Sequence, residues 1–276
     1  MRFTFLGTGT SSGIPMIACS CAVCASTDPR DHRLRTGASL EFTDPAGAPR
    51  VILIDCTPDI RVQALRTNLT RCDAVVFTHN HVDHTFGVDE LRRFNAVQDA
   101  AIDIHADAGT MDTLLRVYQH IFASERNANQ SFVASLTPRL IDPAHPFDLF
   151  GVRFTPIPLL HGRLPILGFR IEPGAAAHAS VRSAEFLPLA YCTDVSEIPE
   201  TSYPLLRGVD TLVLDALRHR PHPTHQSIAQ ATAAAHRIGA RQTWFVHMTH
   251  DLGHEATNAA LPPEIRLAHD GLRLGE

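Results

Sequence analysis

The chain has 276 residues, of which 44% are hydrophobic and 19% charged, a composition typical of a folded protein with a sizeable core. Its formal charge is -5, and all 24 of its cationic side chains are arginines, which argues against a broad nucleic-acid footprint but not against a small anionic substrate. No apolar run of about 18 residues and no signal peptide are visible, so we expect a cytoplasmic protein without membrane contact.

The first half of the sequence predicts strands before any long helix. Strands are expected at 2–6, 39–42, 51–55, 74–78 and 102–106, and helices at 60–69, 88–94 and 109–124. The segment at about 109–130 carries Tyr118 and Phe122, which look exposed, and it is either a cap over the active site or a core helix. No linker, charge block or low-complexity segment divides the chain, so we expect a single domain spanning 1–276.

The second half repeats the same order of elements. Strands are expected at 147–158, 167–172, 188–192, 211–214 and 242–247, and helices at 199–206 and 226–238. Two β-rich halves that each end in helix indicate an α/β fold with two facing sheets flanked by helices.

The richest motif follows a buried strand at 73–78. In an extended segment His79 and His81 point to the same side and can reach one metal ion, while the turn that follows directs Asp83 and His84 to a neighbouring point. The alternative is a solvated polar loop, or one catalytic histidine beside structural ones. The spacing of these four side chains favours a metal centre.

Three further polar residues stand where a predicted strand passes into a loop. They are His161, Asp194 and His247. Functional side chains often occupy such positions because the sheet fixes the backbone while the loop leaves the side chain free. Taken singly, each could equally be a core histidine or a surface aspartate.

A cysteine cluster lies within the loop at 14–24. Cys19, Cys21 and Cys24 are spaced for a metal rather than a disulfide in a reducing compartment. Three thiolates need one more ligand to close a tetrahedral zinc site, and His250 is the candidate because it lies three residues after His247. The alternative is three incidental reduced cysteines or the remnant of an iron–sulfur site.

Together with the opening segment 5–10 and the segment 53–55, the histidine run resembles the metallo-β-lactamase superfamily, whose fold is an αββα sandwich of two facing mixed β-sheets flanked by helices. The resemblance implies a dinuclear centre with zinc or manganese as its metal ions. In it, Asp194 bridges the ions and takes part in catalysis, and a metal-bridged hydroxide attacks the substrate. One ion would be held by His79, His81 and His161, and the other by Asp83, His84 and His247.

The cysteine cluster and His250 are similar to the PhnP-like family of phosphoribosyl 1,2-cyclic phosphate phosphodiesterases, which implies one structural zinc. That family has a catalytic histidine where this sequence has His225, which we interpret as the general acid at the start of the last long helix. A helix N-terminus disfavours an imidazolium, so we expect the proton to be retained mainly when substrate is bound. His222 and His219 are alternatives, and a solvent-exposed turn histidine is the other interpretation of His225.

Two aspartates and three arginines complete the candidate site. Asp215 and Asp55 are expected to orient histidine ligands as hydrogen-bond acceptors. Arg163, Arg218 and Arg220 are candidate contacts to phosphate or ribose, although arginines on loops are often merely solvated.

These features predict a dinuclear phosphodiesterase that hydrolyses a cyclic phosphate or small phosphodiester, of the phosphoribosyl cyclic phosphate or cyclic nucleotide type. The alternatives are an enzyme like the tRNA 3′-processing nucleases, a thioester or lactam hydrolase, and a non-catalytic accessory protein of cofactor biosynthesis. No long glycine-rich and basic arm of the nuclease type is visible. The expected partner is a small phosphorylated substrate rather than an extended nucleic acid, and a homodimer is expected because relatives often form one.

Overall fold

The computed structural model describes residues 1–128 and 131–276. Within these residues the strands form two sheets of seven, in the orders β14-β1-β2-β3-β4-β5-β6 and β13-β12-β11-β10-β9-β8-β7. The strands are β1 (Arg2–Gly7), β2 (Gly37–Thr43), β3 (Pro49–Ile54), β4 (Ala74–Val76), β5 (Ile102–Ala106), β6 (Leu136–Leu140), β7 (Phe147–Leu149), β8 (Val152–His161), β9 (Leu164–Pro173), β10 (Leu189–Cys192), β11 (Thr211–Asp215), β12 (Gln242–Val246), β13 (Ile265–Leu267) and β14 (Arg273–Gly275).

Helices cover the outer faces of both sheets. The α-helices are α1 (Ile60–Thr67), α2 (Val82–Thr85), α3 (Arg92–Gln98), α4 (Ala108–Val117), α5 (Gln119–Phe122), α6 (Ala179–Arg182), α7 (Tyr203–Leu206), α8 (Ile228–Ile238) and α9 (His254–Ala260). Short 3-10 turns lie at Pro29–Asp31, Val88–Leu91 and Ser124–Arg126. None of the helices in the described parts of the chain combines the length and the apolar character that a membrane crossing needs.

The core is layered because strand side chains alternate between two buried faces. On β3, Ile52 and Ile54 point inward to a core shared by both sheets, where they meet Phe169 of the second sheet. Val51 and Leu53 of the same strand point outward and pack under α1, α3 and α4. The fold is therefore a four-layer αββα sandwich, as the sequence predicted.

The candidate site residues meet at one edge of this sandwich. Strands β3 and β4 run parallel in one sheet, and β10, β11 and β12 run parallel in the other. The two edges are joined by a hydrogen bond from Leu167 N to Thr78 O of 3.0 Å. Loops that leave the carboxyl ends of parallel strands carry ligand-binding groups, so this edge is where a site is expected.

Several predicted elements differ from the structure: the helix expected at 88–94 is a 3-10 turn followed by α3, and the one expected at 199–206 is only the short α7. The strand expected at 147–158 is a hairpin, because Phe150 and Gly151 have left-handed φ values of 52° and 90° and reverse the chain between β7 and β8. The helix expected at 109–124 is interrupted at Tyr118, whose φ and ψ of -103° and 42° leave the helical region.

Tyr118 is also buried rather than exposed, with 7% of its surface accessible, and its hydroxyl donates to Thr85 O at 2.9 Å. Together with Met111 and Leu114 it packs in the outer core of the first sheet, which favours the core-helix interpretation of this segment. Asn129 and Gln130, at the end of the expected cap, lie outside the described residues. A capping role for the segment stays a prediction.

Candidate metal centre and catalytic residues

Three aspartate and histidine side chains reach the site through unusual backbone conformations. Asp55, Asp194 and His247 each follow a strand and have φ values of 64°, 59° and 61°. Left-handed φ is uncommon for residues other than glycine and is concentrated at functional sites, where the surrounding structure fixes it. The reversal after each strand turns these side chains toward the gap between the sheets.

The first candidate ligand set is formed by His79, His81 and His161, whose ligand nitrogens lie within 4.8 Å of one another. The ring centroid of His81 is 4.6 Å from that of His79 and 4.9 Å from that of His161. His79 and His161 are buried, whereas His81 is exposed. The set therefore opens to solvent on the side of His81.

The second candidate set is formed by Asp83, His84, Asp194 and His247, all of them buried, with ligand atoms again within 4.8 Å of one another. Asp194 lies between the two rings: its Oδ2 is 3.1 Å from His84 Nε2, and its Oδ1 is 3.1 Å from His247 Nε2. Asp194 also forms a group with His161 of the first set. Asp194 thus lies near candidate ligand atoms of both sets.

The outward nitrogens of three histidines are held by the protein. His84 Nδ1 lies 2.7 Å from Asp55 Oδ2, and His161 Nδ1 donates to Thr224 O at 2.6 Å. His79 Nδ1 lies 3.0 Å from Thr78 Oγ1, and that hydroxyl donates to Asp55. Each ring thus presents Nε2 to the centre, which is the arrangement that orients histidine metal ligands.

Electrostatics at the centre follow from burial and from close carboxylates. Burial, aided by the neighbouring His84, holds the pKa of His79 well below its usual range, so this ring is neutral. Burial also lowers the pKa of His247, but Asp194 and Asp83 outweigh it and raise that pKa to about 9. For Asp194, burial opposes ionisation, yet His247 and His84 hold its pKa well below the ordinary value.

The donor set fits divalent metal ions. Nε2 of His79 and of His84 are buried and have no well-formed hydrogen bond to any group in residues 1–128 and 131–276, even though Asp194 lies close to His84. Imidazole and carboxylate donors at these separations suit zinc or manganese. Buried polar atoms without a partner are rare, and a bound cation would account for both.

His225 lies beside both ligand sets. Its ring centroid is 4.5 Å from that of His161 and 4.7 Å from that of His247. Its Nδ1 is 3.3 Å from Asp215 Oδ2, which also accepts from Gln226 N. Helix α8 begins at Ile228, so His225 precedes the helix, and the group that faces its ring is the carboxylate of Asp215 rather than a helix end.

His250, the predicted fourth ligand, lies against the three cysteines of the cluster. His250 Nδ1 is 3.2, 3.5 and 3.6 Å from the sulfur atoms of Cys19, Cys21 and Cys24. The backbone N–H of Cys24 donates to Cys21 and lowers the pKa of that thiol to about 7, whereas burial raises the pKa of Cys24 to about 11. Four ligand atoms at these separations form a group of the tetrahedral zinc type.

The three candidate arginines have different surroundings. Arg218 donates to the carbonyls of Arg220 and Pro221 and so stabilises its own loop. Arg220 lies 3.6 Å from Asp251, and Arg163 is exposed on the hairpin after His161. Two N–H groups of Arg218 are therefore already used within its own loop.

Sequence reasoning missed the residues that connect the loops of the site. Ser196 accepts from Gly162 N at 2.8 Å and donates to Leu160 O at 2.9 Å, so it joins the hairpin of His161 to the loop of Asp194. Thr224 acts through its backbone carbonyl. Ser196 lies two residues after a strand-end aspartate, and this position was only a weak indication of a role in the site. The backbone contact of Thr224 leaves no pattern in the sequence.

Comparison with known proteins places this geometry in a family. A model of the β-lactamase superfamily domain matches residues 50–248. A solved diphosphatase of the PhnP family shares 39% sequence identity with this chain, over 100% of this chain and 97% of that one, with a TM-score of 0.85. The chain belongs to the PhnP family of the β-lactamase superfamily. Members of this fold bind divalent metal ions and are hydrolases, which supports a metal-dependent hydrolase here.

Two curated relatives of this PhnP-family chain have other names. An octanoyltransferase of Porphyromonas gingivalis is 34% identical over 99% of this chain but only 51% of its own length, so the chain spans about half of that relative. A coenzyme PQQ synthesis protein B of Methylobacterium nodulans is 27% identical over 78% of this chain and 72% of its own length.

Proposed function

We propose that this chain is a metal-dependent phosphodiesterase that hydrolyses a cyclic phosphate or a small phosphodiester, of the phosphoribosyl cyclic phosphate or cyclic nucleotide type. The observation that carries the proposal is the position of His225, which lies within 5 Å of two candidate ligand rings and has Asp215 on its far nitrogen. When an alkoxide leaves phosphorus, its oxygen needs a proton, and a histidine beside the metal centre can donate it.

The residues that would hold the ions are those of the two candidate sets. His79, His81 and His161 would bind one ion, Asp83, His84 and His247 the other, and Asp194 would bridge them. Two zinc or manganese ions bound there would supply a nucleophile at neutral pH and neutralise charge on the phosphoryl oxygens. Once a metal ion replaces the proton on each Nε2, the five rings are neutral, and with two carboxylates they balance only half of the charge of two divalent ions, which favours an anionic substrate.

The remaining residues orient the ligands and move a proton. Asp55 fixes the ring of His84, and the Thr224 carbonyl fixes that of His161. Asp215 accepts from Nδ1 of His225, which leaves Nε2 to hold the proton and deliver it to the leaving oxygen. A carboxylate behind a histidine also stabilises the imidazolium form that an acid must adopt.

The relatives support this proposal unequally. The PhnP-family diphosphatase matches this chain over nearly its whole length. The octanoyltransferase is about twice as long as the matched region, so its name describes a protein with a further half that this chain does not match. A phosphorus-centred reaction is therefore favoured over an acyl-centred one.

We further propose a structural zinc held by Cys19, Cys21, Cys24 and His250. Cytoplasmic reducing conditions would keep the three thiols available, and all are free in the structure. A small phosphorylated substrate and a homodimeric state complete the proposal.

The assay that tests the function uses protein loaded with zinc or manganese. The substrates are bis-para-nitrophenyl phosphate, a ribose 1,2-cyclic phosphate, 2′,3′-cyclic nucleotides, a thioester and nitrocefin. We expect turnover of the phosphodiesters alone. Turnover of only the thioester or only nitrocefin would replace the proposal with an acyl hydrolase, and no turnover of any of them would favour an accessory protein.

The role of His225 has its own test, because its ring also forms a close group with His161 and Asp194 and could bind metal. We expect His225→Asn to lower kcat by about 100-fold or more, within the range of general acid catalysis. The content of catalytic metal should be unchanged. Loss of one metal ion would make His225 a ligand instead of the acid.

The structural zinc is tested by Cys21→Ser, with Cys192→Ser as the matched control because Cys192 is a buried thiol on β10. We expect Cys21→Ser to lose about one zinc per chain while the catalytic metal remains. The control should keep all of its metal. Equal zinc content in the two variants would exclude a zinc site at the cysteine cluster.

A further inference from the structure

The peptide groups of Thr224 contact two histidines of the site in opposite ways. The carbonyl of Thr224 lies 2.6 Å from His161 Nδ1, and its backbone N–H lies 3.3 Å from His222 Nδ1. A carbonyl only accepts a hydrogen bond, and a backbone N–H only donates one. His161 must therefore carry its proton on Nδ1. The backbone N–H of Thr224 favours an unprotonated Nδ1 on His222, to which the Thr224 hydroxyl at 3.2 Å can also donate.

The opposite tautomers give the two rings different chemistry. His161 presents a lone pair at Nε2, which is what a metal ligand needs. His222 in its neutral form presents an N–H at Nε2, so this nitrogen can donate but cannot bind a metal ion. In the described parts of the chain, Nε2 of His222 has no hydrogen-bond partner; the contacts of this ring are those of Nδ1 with Thr224.

The position of His222 is next to the proposed acid. Its ring centroid is 5.2 Å from that of His225, and the residue is half-buried. Pro221 and Pro223 flank it and fix φ on both sides. Arg218 ties the loop further by donating to Pro221 O at 3.1 Å.

Electrostatics keep the ring of His222 neutral. Partial burial lowers its pKa, and the neighbouring His225 and Arg218 lower it further. A neutral ring with a free N–H makes a strong hydrogen bond to an anionic oxygen, because bonds to charged acceptors are roughly twice as strong as neutral ones. Two N–H groups of Arg218 already donate to loop carbonyls, whereas the ring of His222, 5.2 Å from that of His225, keeps its Nε2 available among the described residues.

On the basis of the proposed function, we propose that His222 binds substrate by donating a hydrogen bond from Nε2 to a non-bridging oxygen of the phosphate group. His225 then protonates the leaving oxygen of the same group. The loop 221–225 thus carries two histidines with separate tasks, one for binding the anion and one for proton transfer.

Two substitutions distinguish the roles of the two ring nitrogens of His222. Asparagine places an oxygen near the position of Nδ1, which keeps an acceptor for Thr224 N–H but removes the Nε2 donor. Glutamine places an amide N–H near the position of Nε2 and keeps the donor. We expect His222→Asn to lower kcat/KM on bis-para-nitrophenyl phosphate by roughly 10- to 100-fold, as for loss of a hydrogen bond to a charged group. His222→Gln keeps the donor and should therefore lose less kcat/KM than His222→Asn.

The pH profile distinguishes this role from that of the acid. Both His222 variants should keep the limb of the kcat/KM profile that disappears in His225→Asn. Loss of that limb in His222→Gln would make His222 the acid and overturn the proposal. Equal impairment of His222→Asn and His222→Gln would also overturn it, because the donor would then not matter.

Two measurements do not depend on turnover. Nitrogen-15 NMR of histidine-labelled protein should report an unprotonated Nδ1 and a protonated Nε2 for His222, and the reverse assignment would overturn the proposal. Calorimetric titration of metal-loaded protein with inorganic phosphate should show binding at least 10-fold weaker in His222→Asn than in His222→Gln. If phosphate binding behaves in this way while no phosphodiester is hydrolysed, only the proposed function fails; equal phosphate affinities would overturn the role of His222.

Discussion

At the scale of single residues, Asp55 organises ligands of both candidate metal ions. It accepts from His84 Nδ1 directly and from the Thr78 hydroxyl, which in turn lies against His79 Nδ1. Its side chain is wholly buried, and a third bond comes from Thr78 N at 2.8 Å. One carboxylate therefore fixes the orientation of a histidine in each set.

We predict that Asp55→Asn weakens binding of both catalytic ions. The amide cannot accept equally from all three donors, and loss of such an outer partner typically costs 10- to 100-fold in metal affinity or activity. Chelator competition, with metal content measured at each step, checks the prediction. Asp73→Asn is the control, because Asp73, just before β4, is a buried carboxylate that binds Arg50 and Arg71 instead of a histidine. Equal metal affinity in both variants would contradict the role of Asp55.

Sequence reasoning reached the candidate site residues and two of their acceptors, Asp55 and Asp215, but not Thr224 or Ser196. The run from His79 to His84 was readable because its spacing is local. The association of His161, Asp194 and His247 with that run came from the resemblance, since residues far apart in sequence leave no local signal of contact. The backbone contacts of Thr224 depend on peptide orientation, which no residue type determines.

At the scale of elements, the short helix α2 approaches the turn after β3 very closely. Gly87, just beyond α2, donates to Cys56 O, and Cys56 N donates to His84 O. A Cβ atom on Gly87 would lie 2.0 Å from the carbonyl oxygen of Thr57. A side chain at this position would push α2, with Asp83 and His84, away from the loop that carries Asp55.

We predict that Gly87→Ala destabilises the protein by roughly 1–3 kcal/mol, the usual cost of overpacking, and weakens catalytic metal binding. Gly109→Ala is the matched control, because nothing lies within 4 Å of a Cβ there. It should be neutral or stabilising by up to about 1 kcal/mol, since alanine favours a helix over glycine. Urea unfolding measures both changes. Similar midpoints for the two variants would show that α2 tolerates the displacement.

Elements with strong local patterns were predicted best. Strand β5 was predicted with its observed bounds, and the start of α1 was also correct. The strands β6, β13 and β14 were missed, because each lies at a sheet edge or is only three residues long and has little apolar alternation. Pairing with a neighbour, rather than local sequence, makes them strands.

At the scale of the whole molecule, the two ends of the sequence are joined beside the first sheet. Strand β14 pairs with β1, and Gly271 N donates to Phe5 O at 2.8 Å. Asp270 accepts from the Thr8 hydroxyl at 2.9 Å and from Leu34 N at 2.8 Å. This carboxyl therefore connects three distant segments of the chain.

The ionisation of Asp270 should make stability depend on pH. Burial raises the pKa of Asp270 to about 7, although the bonds from Leu34 and Thr8 act in the opposite direction. The folded protein thus holds a proton that the unfolded chain loses near pH 4. Where the folded state binds more protons, the free energy of unfolding falls as pH rises. The stabilising contribution is complete below about pH 4 and is lost by about pH 7.

We predict that Asp270→Asn removes this dependence, because an amide does not ionise, can accept from Leu34 N–H and can donate to the Thr8 hydroxyl. Each unit of pKa difference corresponds to about 1.4 kcal/mol. The difference in free energy of unfolding between the two proteins should therefore change by on the order of 4 kcal/mol from pH 4 to pH 7. The asparagine variant should gain relative stability as pH rises. Urea unfolding of both proteins across this range measures the change. Because the other titrating groups are common to both, parallel curves would mean that Asp270 is ionised throughout and that its hydrogen bonds outweigh its burial.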